Sequence, residues 1–287
     1  MSILLKNLIN TVATFLEDAS VLVILITFFI SWIGCWLPIA AVIAIKLNWR
    51  PNQPLQPEQK LPLLVPLYLL APLVLGVIIW LSDKSFLDYG FGVNFSLLIS
   101  LILGLALGLI SLGIMFTGQF WLGWCYVEKA NIQRIPGIIP SIFLIALLVG
   151  GIEELVFRGF LLTELERDYP VWVAATISSL IFALLHLVWE QRETTPQIPG
   201  LWLMGMILVL ARIADHGSLG IAWGLHTGLV LAIATIDTAE LITYTGKAGE
   251  WWTGKNKKPL AGATGIICLF LISVILWLSE YIDWGLG

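Results

Sequence analysis

Apolar residues run along this chain in long stretches separated by short polar breaks. Eight stretches read as membrane spans, at about 20–46, 61–82, 95–117, 138–163, 171–189, 199–213, 218–237 and 260–280. A helix needs roughly 20 predominantly apolar residues to cross ~30 Å of hydrocarbon, and several of these runs reach or exceed that. Residues 1–18 differ. Their apolar positions, Leu5, Leu8, Ile9, Val12, Phe15 and Leu16, form a near-helical stripe closed by Glu17 and Asp18. That pattern predicts an amphipathic helix lying on the membrane surface.

The breaks have their own character. Trp49–Pro62, with Pro51, Pro54 and Pro57, reads as a stiff connector. Residues 83–94 are a short polar interruption. Residues 118–137, holding Trp121, Trp124, Lys129 and Arg134, read as an interfacial segment. The longest late loop, 238–259, sets Lys247, Lys255, Lys257 and Lys258 beside Trp251 and Trp252. No repeat or second domain is visible. The expected organisation is an interfacial helix over 1–18 and a single transmembrane domain over 19–287. The fold class is all-α and polytopic.

Composition agrees. Of 287 residues, 59% are hydrophobic and 12% charged, against about 25% charged in a soluble domain. The net charge of −4 is small and dispersed, which excludes a nucleic-acid footprint. Fourteen tryptophans suit the two membrane interfaces. Cys35, Cys125 and Cys268 fit no zinc or disulfide framework and read as buried small hydrophobes. Lys6, Lys84, Arg158, Arg167 and Arg212 fall on one side of the membrane and the other ten of fifteen cations on the opposite side. The bias predicts both termini outside and the 238–259 loop in the cytoplasm.

Against this background a few residues are too costly to be idle. The fourth span reads Leu147-Leu-Val-Gly-Gly-Ile-Glu153-Glu154-Leu-Val-Phe-Arg158. Intramembrane ionisable groups cost on the order of 2.5–3.5 kcal/mol each and are functional candidates by default. Residues four apart share a helix face, so Glu154 and Arg158 can pair, while Glu153 is turned about 100° away. A structural ion-pair cluster is the alternative on helix physics alone. The three histidines are His186, His216 and His226. His186, ending Phe182-Ala-Leu-Leu-His186, and His226 both fall within spans, at the depth of the two carboxylates. His216 follows Asp215 in a short turn and reads as solvated. Such a constellation serves hydrolysis: a carboxylate activates water as general base, one imidazole orients it, and another donates to an oxyanion. Glu153, His186 and His226 would also be a legitimate zinc set, although His-Glu-x-x-His is absent. No serine-nucleophile motif and no aspartyl pair is present. A proton-coupled transporter would show repeated halves or broken helices, and neither is visible.

Glu153-Glu154-Leu-Val-Phe-Arg158, Phe182-Ala-Leu-Leu-His186 and His226, in that order and inside a polytopic chain, resemble the CPBP family. It comprises CAAX-prenyl endopeptidases and the bacterial Abi or bacteriocin-processing proteins. The resemblance covers residues 145–235, within a core of about 138–237. It implies eight helices around a central intramembrane cavity. It makes Glu153 the base that activates water, His186 its assistant and His226 part of the oxyanion side, with Glu154, Arg158 and Phe182 supporting. It implies a metal-free reaction. The implied substrate is a membrane protein or lipidated peptide, and the location a multi-pass bacterial plasma membrane. One position departs: where many members carry Asn or Asp four residues after the last His, this chain has Val230. A non-catalytic family member acting as an immunity or assembly partner is the competing reading.

Overall fold

The computed structural model describes residues 11–15, 19–50, 53, 56–82, 84–188 and 191–285, without the side chains of residues 57 and 280–285. Most of the 1–18 amphipathic segment lies outside the described residues. Eight long helices follow: α1 Val21–Lys46, α2 Pro57–Leu81, α3 Phe95–Trp121, α4 Ile135–Glu153, α5 Val171–Leu185, α6 Ile198–Ala214, α7 Gly220–Thr238 and α8 Ala263–Gly285. Seven helical segments are long and apolar enough to cross a membrane, and Ala263–Ser279 is a shorter apolar helix. Bulky side chains such as Leu22, Ile30, Leu73, Leu144 and Phe270 face outward around the molecule. In water they would be a liability; in lipid they are the expected surface. The protein is an integral, multi-pass, all-α membrane protein.

The centre of the bundle is α7, which packs on α3, α4 and α6, while α1 pairs with α2, α5 with α6, and α8 with α6 and α3. Small residues make this approach close. A Cβ on Gly224 would lie 2.0 Å from the Leu101 carbonyl oxygen, and one on Gly104 would lie 2.2 Å from that of Ile221. This is the small-xxx-small device of membrane helices, which have no hydrophobic drive to associate and rely on packing.

The start of α7 is tied down as well. Asp215 accepts from Ser100 Oγ at 2.7 Å and from the Ile221 amide at 3.1 Å. Gly90, with φ of +78°, accepts from the Leu219 amide at 2.9 Å, and a Cβ there would meet the Gly217 oxygen at 2.2 Å. His216 sits exposed in this turn with φ of +52°, as expected for a turn residue.

Two expectations change. The 118–137 segment is not one interfacial stretch. α3 continues to Trp121, Cys125–Val127 forms strand β1, and α4 begins at Ile135. β1 pairs antiparallel with β2, Ile242–Tyr244, so the 118–137 and 238–259 segments clasp each other. Neither strand shows enough alternation in sequence to announce itself. Among the cysteines, Cys125 and Cys268 are buried but Cys35 is exposed, because α1 presents that face outward.

Candidate active site

Gly150 and Gly151 let α4 lie against α7. A Cβ on Gly151 would sit 2.7 Å from the Trp223 ring, whose indole donates to the Leu147 carbonyl at 2.8 Å. Just beyond, at Glu154, α4 changes from α-helical to π-helical geometry through Leu161 and returns to an α turn over Leu162–Leu165. Short π segments inside α-helices mark functional sites more often than chance. This one carries Glu154 and Arg158, and nothing in the residue pattern foretells it.

The two carboxylates flank His226 and differ in their other partners. Glu154, fully buried, accepts from Arg158 Nη1 at 3.0 Å. The Arg158 guanidinium, also fully buried, lies 4.3 Å over the Phe182 ring, adding a cation–π contact to the ion pair. The same Glu154 oxygen lies 2.7 Å from His226 Nδ1. A carboxylate has only lone pairs to offer, so Nδ1 carries the proton and donates to it. That turns His226 Nε2 toward Glu153, 3.6 Å from Oε2. Glu153 is 7% exposed, and its Oε1 accepts from the hydroxyl of Tyr68 on α2. Its Oε2 has no hydrogen-bond partner among the described residues.

His186 stands apart from that cluster. α5 ends at Leu185, so His186 opens a 3₁₀ turn, where its Nδ1 donates to the Phe182 carbonyl at 2.8 Å. Fifteen residues of α-helix rise about 22 Å, short of the ~30 Å hydrocarbon core. Irregular backbone at membrane depth is tolerated where it lines a cavity, and His186 does line one. The Phe182 ring joins the two imidazoles, its centroid 4.6 Å from that of His186 and 5.9 Å from that of His226.

The cavity has a volume of about 300 Å³. Both imidazoles line it, and Asp237 and Lys258, paired at 2.8 Å, line it farther along α7. Between them the wall is apolar, with Leu201, Met204, Val230 and Leu269. Glu153 itself is not on the wall; the His226 ring is its contact with it. Val230 does face the cavity, so the departure from the family pattern changes the lining directly.

A zinc set of Glu153, His186 and His226 fits the geometry poorly. Glu153 Oε2 and His226 Nε2 converge, but His186 does not join them. Among the described residues no three His, Cys, Asp or Glu side chains gather closely enough to hold a metal ion.

A second charged cluster closes the other end of this region. Glu164 accepts from Tyr89 at 2.7 Å, from Lys84, and from Arg167 at 3.0 Å. Burial, and then the hydrogen bond to Glu164, push the Tyr89 hydroxyl well above its ordinary value, so it stays protonated and donating. Arg212, on α6, donates to the carbonyls of Arg158 and Gly217. These contacts hold the far end of α4 against its neighbours.

Tyr68 is the member of the site that sequence reasoning missed. The available signal was a lone phenol inside an apolar span, Pro66-Leu-Tyr68-Leu-Leu, because a hydroxyl in hydrocarbon seeks a partner.

No curated protein and no solved structure matches the chain. A family model does match, over residues 135–232, described as type II CAAX prenyl endopeptidase Rce1-like. Those residues supply both carboxylates, Arg158, Phe182 and both cavity-lining imidazoles. Residues 135–232 of this membrane protein are thus similar to the Rce1-like type II CAAX prenyl endopeptidases.

Proposed function

We propose that the protein is an intramembrane endopeptidase in which Glu153 activates the hydrolytic water. The observation that carries this reading is the unequal treatment of the two carboxylates. Glu154 is neutralised by Arg158 and holds His226 through the same oxygen, its Oε2 also lacking a hydrogen-bond partner. Glu153 pairs with no Lys or Arg among the described residues, and its partnerless Oε2 lies 3.6 Å from Nε2 of an imidazole that borders a cavity. A general base needs such an unspent lone pair within reach of water.

In the reaction, Glu153 takes a proton from water as the water attacks the scissile carbonyl, and later returns it to the leaving amine. His186 Nε2, left open because Nδ1 is tied to the Phe182 carbonyl, helps orient the water. His226, held by Glu154, stands on the side of the developing oxyanion. The apolar wall suits an apolar stretch of a membrane protein or lipidated peptide. The resemblance of its motifs to the wider family, which includes bacterial members, is the ground for proposing a bacterial plasma membrane.

The test is comparative proteomics of membrane peptides from cells carrying wild-type or Glu153→Gln protein. The expected result is that a defined set of cleavage products disappears while the variant still inserts. Loss of a general base costs typically 10²–10⁴-fold. Unchanged products from the variant would defeat the reading.

Val230 on the cavity wall favours a second reading, a non-catalytic partner of the same family. In that case function survives Glu153→Gln and fails when the 238–259 loop is altered.

A further inference from the structure

Glu153 is held from outside the family-matched segment. Residues 135–232 contribute Glu153 and His226, but the group that grips Glu153 Oε1 is the phenol of Tyr68, in the middle of α2. The two oxygens of one carboxylate therefore have different fates. Oε1 accepts from Tyr68, and Oε2 points toward His226 Nε2, 3.6 Å away.

The placement of Tyr68 is itself built. α2 contains Pro62, Pro66 and Pro72. A proline within a helix removes one amide donor and frees the carbonyl four residues earlier, here those of Glu58, Pro62 and Tyr68. Two indoles of α1 donate to neighbouring carbonyls of this loosened stretch. Trp36 donates to Leu63 at 3.0 Å and Trp32 to Leu67 at 2.7 Å. The second bond lands one residue before Tyr68. Together they fix the rotation of α2 about α1, and so the side from which the phenol approaches α4.

We propose that Tyr68 is a positioning residue for this site: its hydroxyl pins one oxygen of Glu153 so that the other is presented for proton transfer. The proposal rests on the reading of Glu153 as the base. An unpinned glutamate samples several rotamers, and only some of them aim a lone pair at the cavity side. Pinning one oxygen removes that search without adding a contact to the substrate. Its loss therefore appears in kcat and leaves KM alone.

The experiment uses the full chain in liposomes, with an internally quenched farnesylated CAAX peptide as probe. The infrared carboxylate band of Glu153 is isolated as the wild-type minus Glu153→Gln difference spectrum. Tyr68→Phe keeps the ring and its packing, so the variant still folds and inserts. It shifts the Glu153 band and lowers kcat at least about tenfold with KM unchanged, as loss of a hydrogen bond to a charged group implies. Replacing Tyr68 with 3-fluorotyrosine, a stronger donor of nearly the same shape, moves the band the opposite way. That arm reads the contact even if Tyr68→Phe inserts poorly.

An unmoved band in both variants overturns the proposal, as does a moved band with unchanged kcat. If Glu153→Gln cleaves the peptide at the wild-type rate, it is the endopeptidase reading that fails, and the infrared arm still decides the Tyr68–Glu153 contact by itself.

Discussion

Glu153 and Glu154 are chemically identical neighbours, and their surroundings make them different. Adjacent helix positions point about 100° apart, which sends Glu154 into the Arg158–Phe182–His226 corner and Glu153 toward Tyr68. Arg158 is therefore the residue whose loss should hurt folding most. Arg158→Ala leaves the Glu154 charge buried with no cation beside it. Removing one partner of a buried pair costs about 3–5 kcal/mol. Chemical denaturation in detergent should show that loss, with Glu153→Gln much closer to wild type. At this scale the sequence was informative, because a carboxylate pair and an arginine within one apolar span are conspicuous. Their pairing partner on another helix was not legible. The spacing of Glu154 and Arg158 is local, whereas the 2.7 Å approach of His226 spans 72 residues of chain.

At the scale of elements, the site depends on how closely α7 can lie against α3 and α4. Gly104, Gly224 and Gly151 stand where a Cβ would strike the neighbouring helix. Gly224→Leu should wedge α3 from α7 and carry His226 away from Glu154. Overpacking of this kind costs about 1–3 kcal/mol or more, and cleavage should fall with it. Gly113→Ala, on the same α3 with nothing within 4 Å of the added Cβ, should leave thermal stability and activity near wild type. A similar loss from both substitutions would argue against close approach as the cause. The spans themselves were readable within a few residues, since apolar length is a one-dimensional property. Three element-level features were not. The π-helical turn at Glu154–Leu161, the β1–β2 clasp and the early end of α5 at Leu185 each depend on what the segment meets in space.

Across the whole molecule, the Rce1-like segment holds both carboxylates and both cavity-lining imidazoles, while α1 and α2 outside it reach in through Tyr68. The indole donors of α1 should therefore influence the site at a distance. Trp32→Phe and Trp36→Phe each remove a hydrogen bond to α2, worth about 0.5–1.5 kcal/mol of stability. The double variant should also lower kcat, and combining it with Tyr68→Phe should add little, because all three act through the same grip on Glu153. Full additivity in such a cycle would separate the α1–α2 clamp from the site.

The sequence by itself determined the class of molecule and its suspects. Hydrocarbon thickness sets how long an apolar run must be, and the cost of burying charge makes Glu153, Glu154, Arg158, His186 and His226 stand out without any coordinates. Tertiary structure alone decided which of them touch. It put His226 between the two glutamates, left His186 across Phe182 on the cavity wall, and brought Tyr68 from α2 to Glu153. The reason is physical. Insertion energies are summed along the chain and can be read from it, but helix rotation and tilt are set by small-residue packing and interhelical hydrogen bonds between distant residues, which no local pattern encodes.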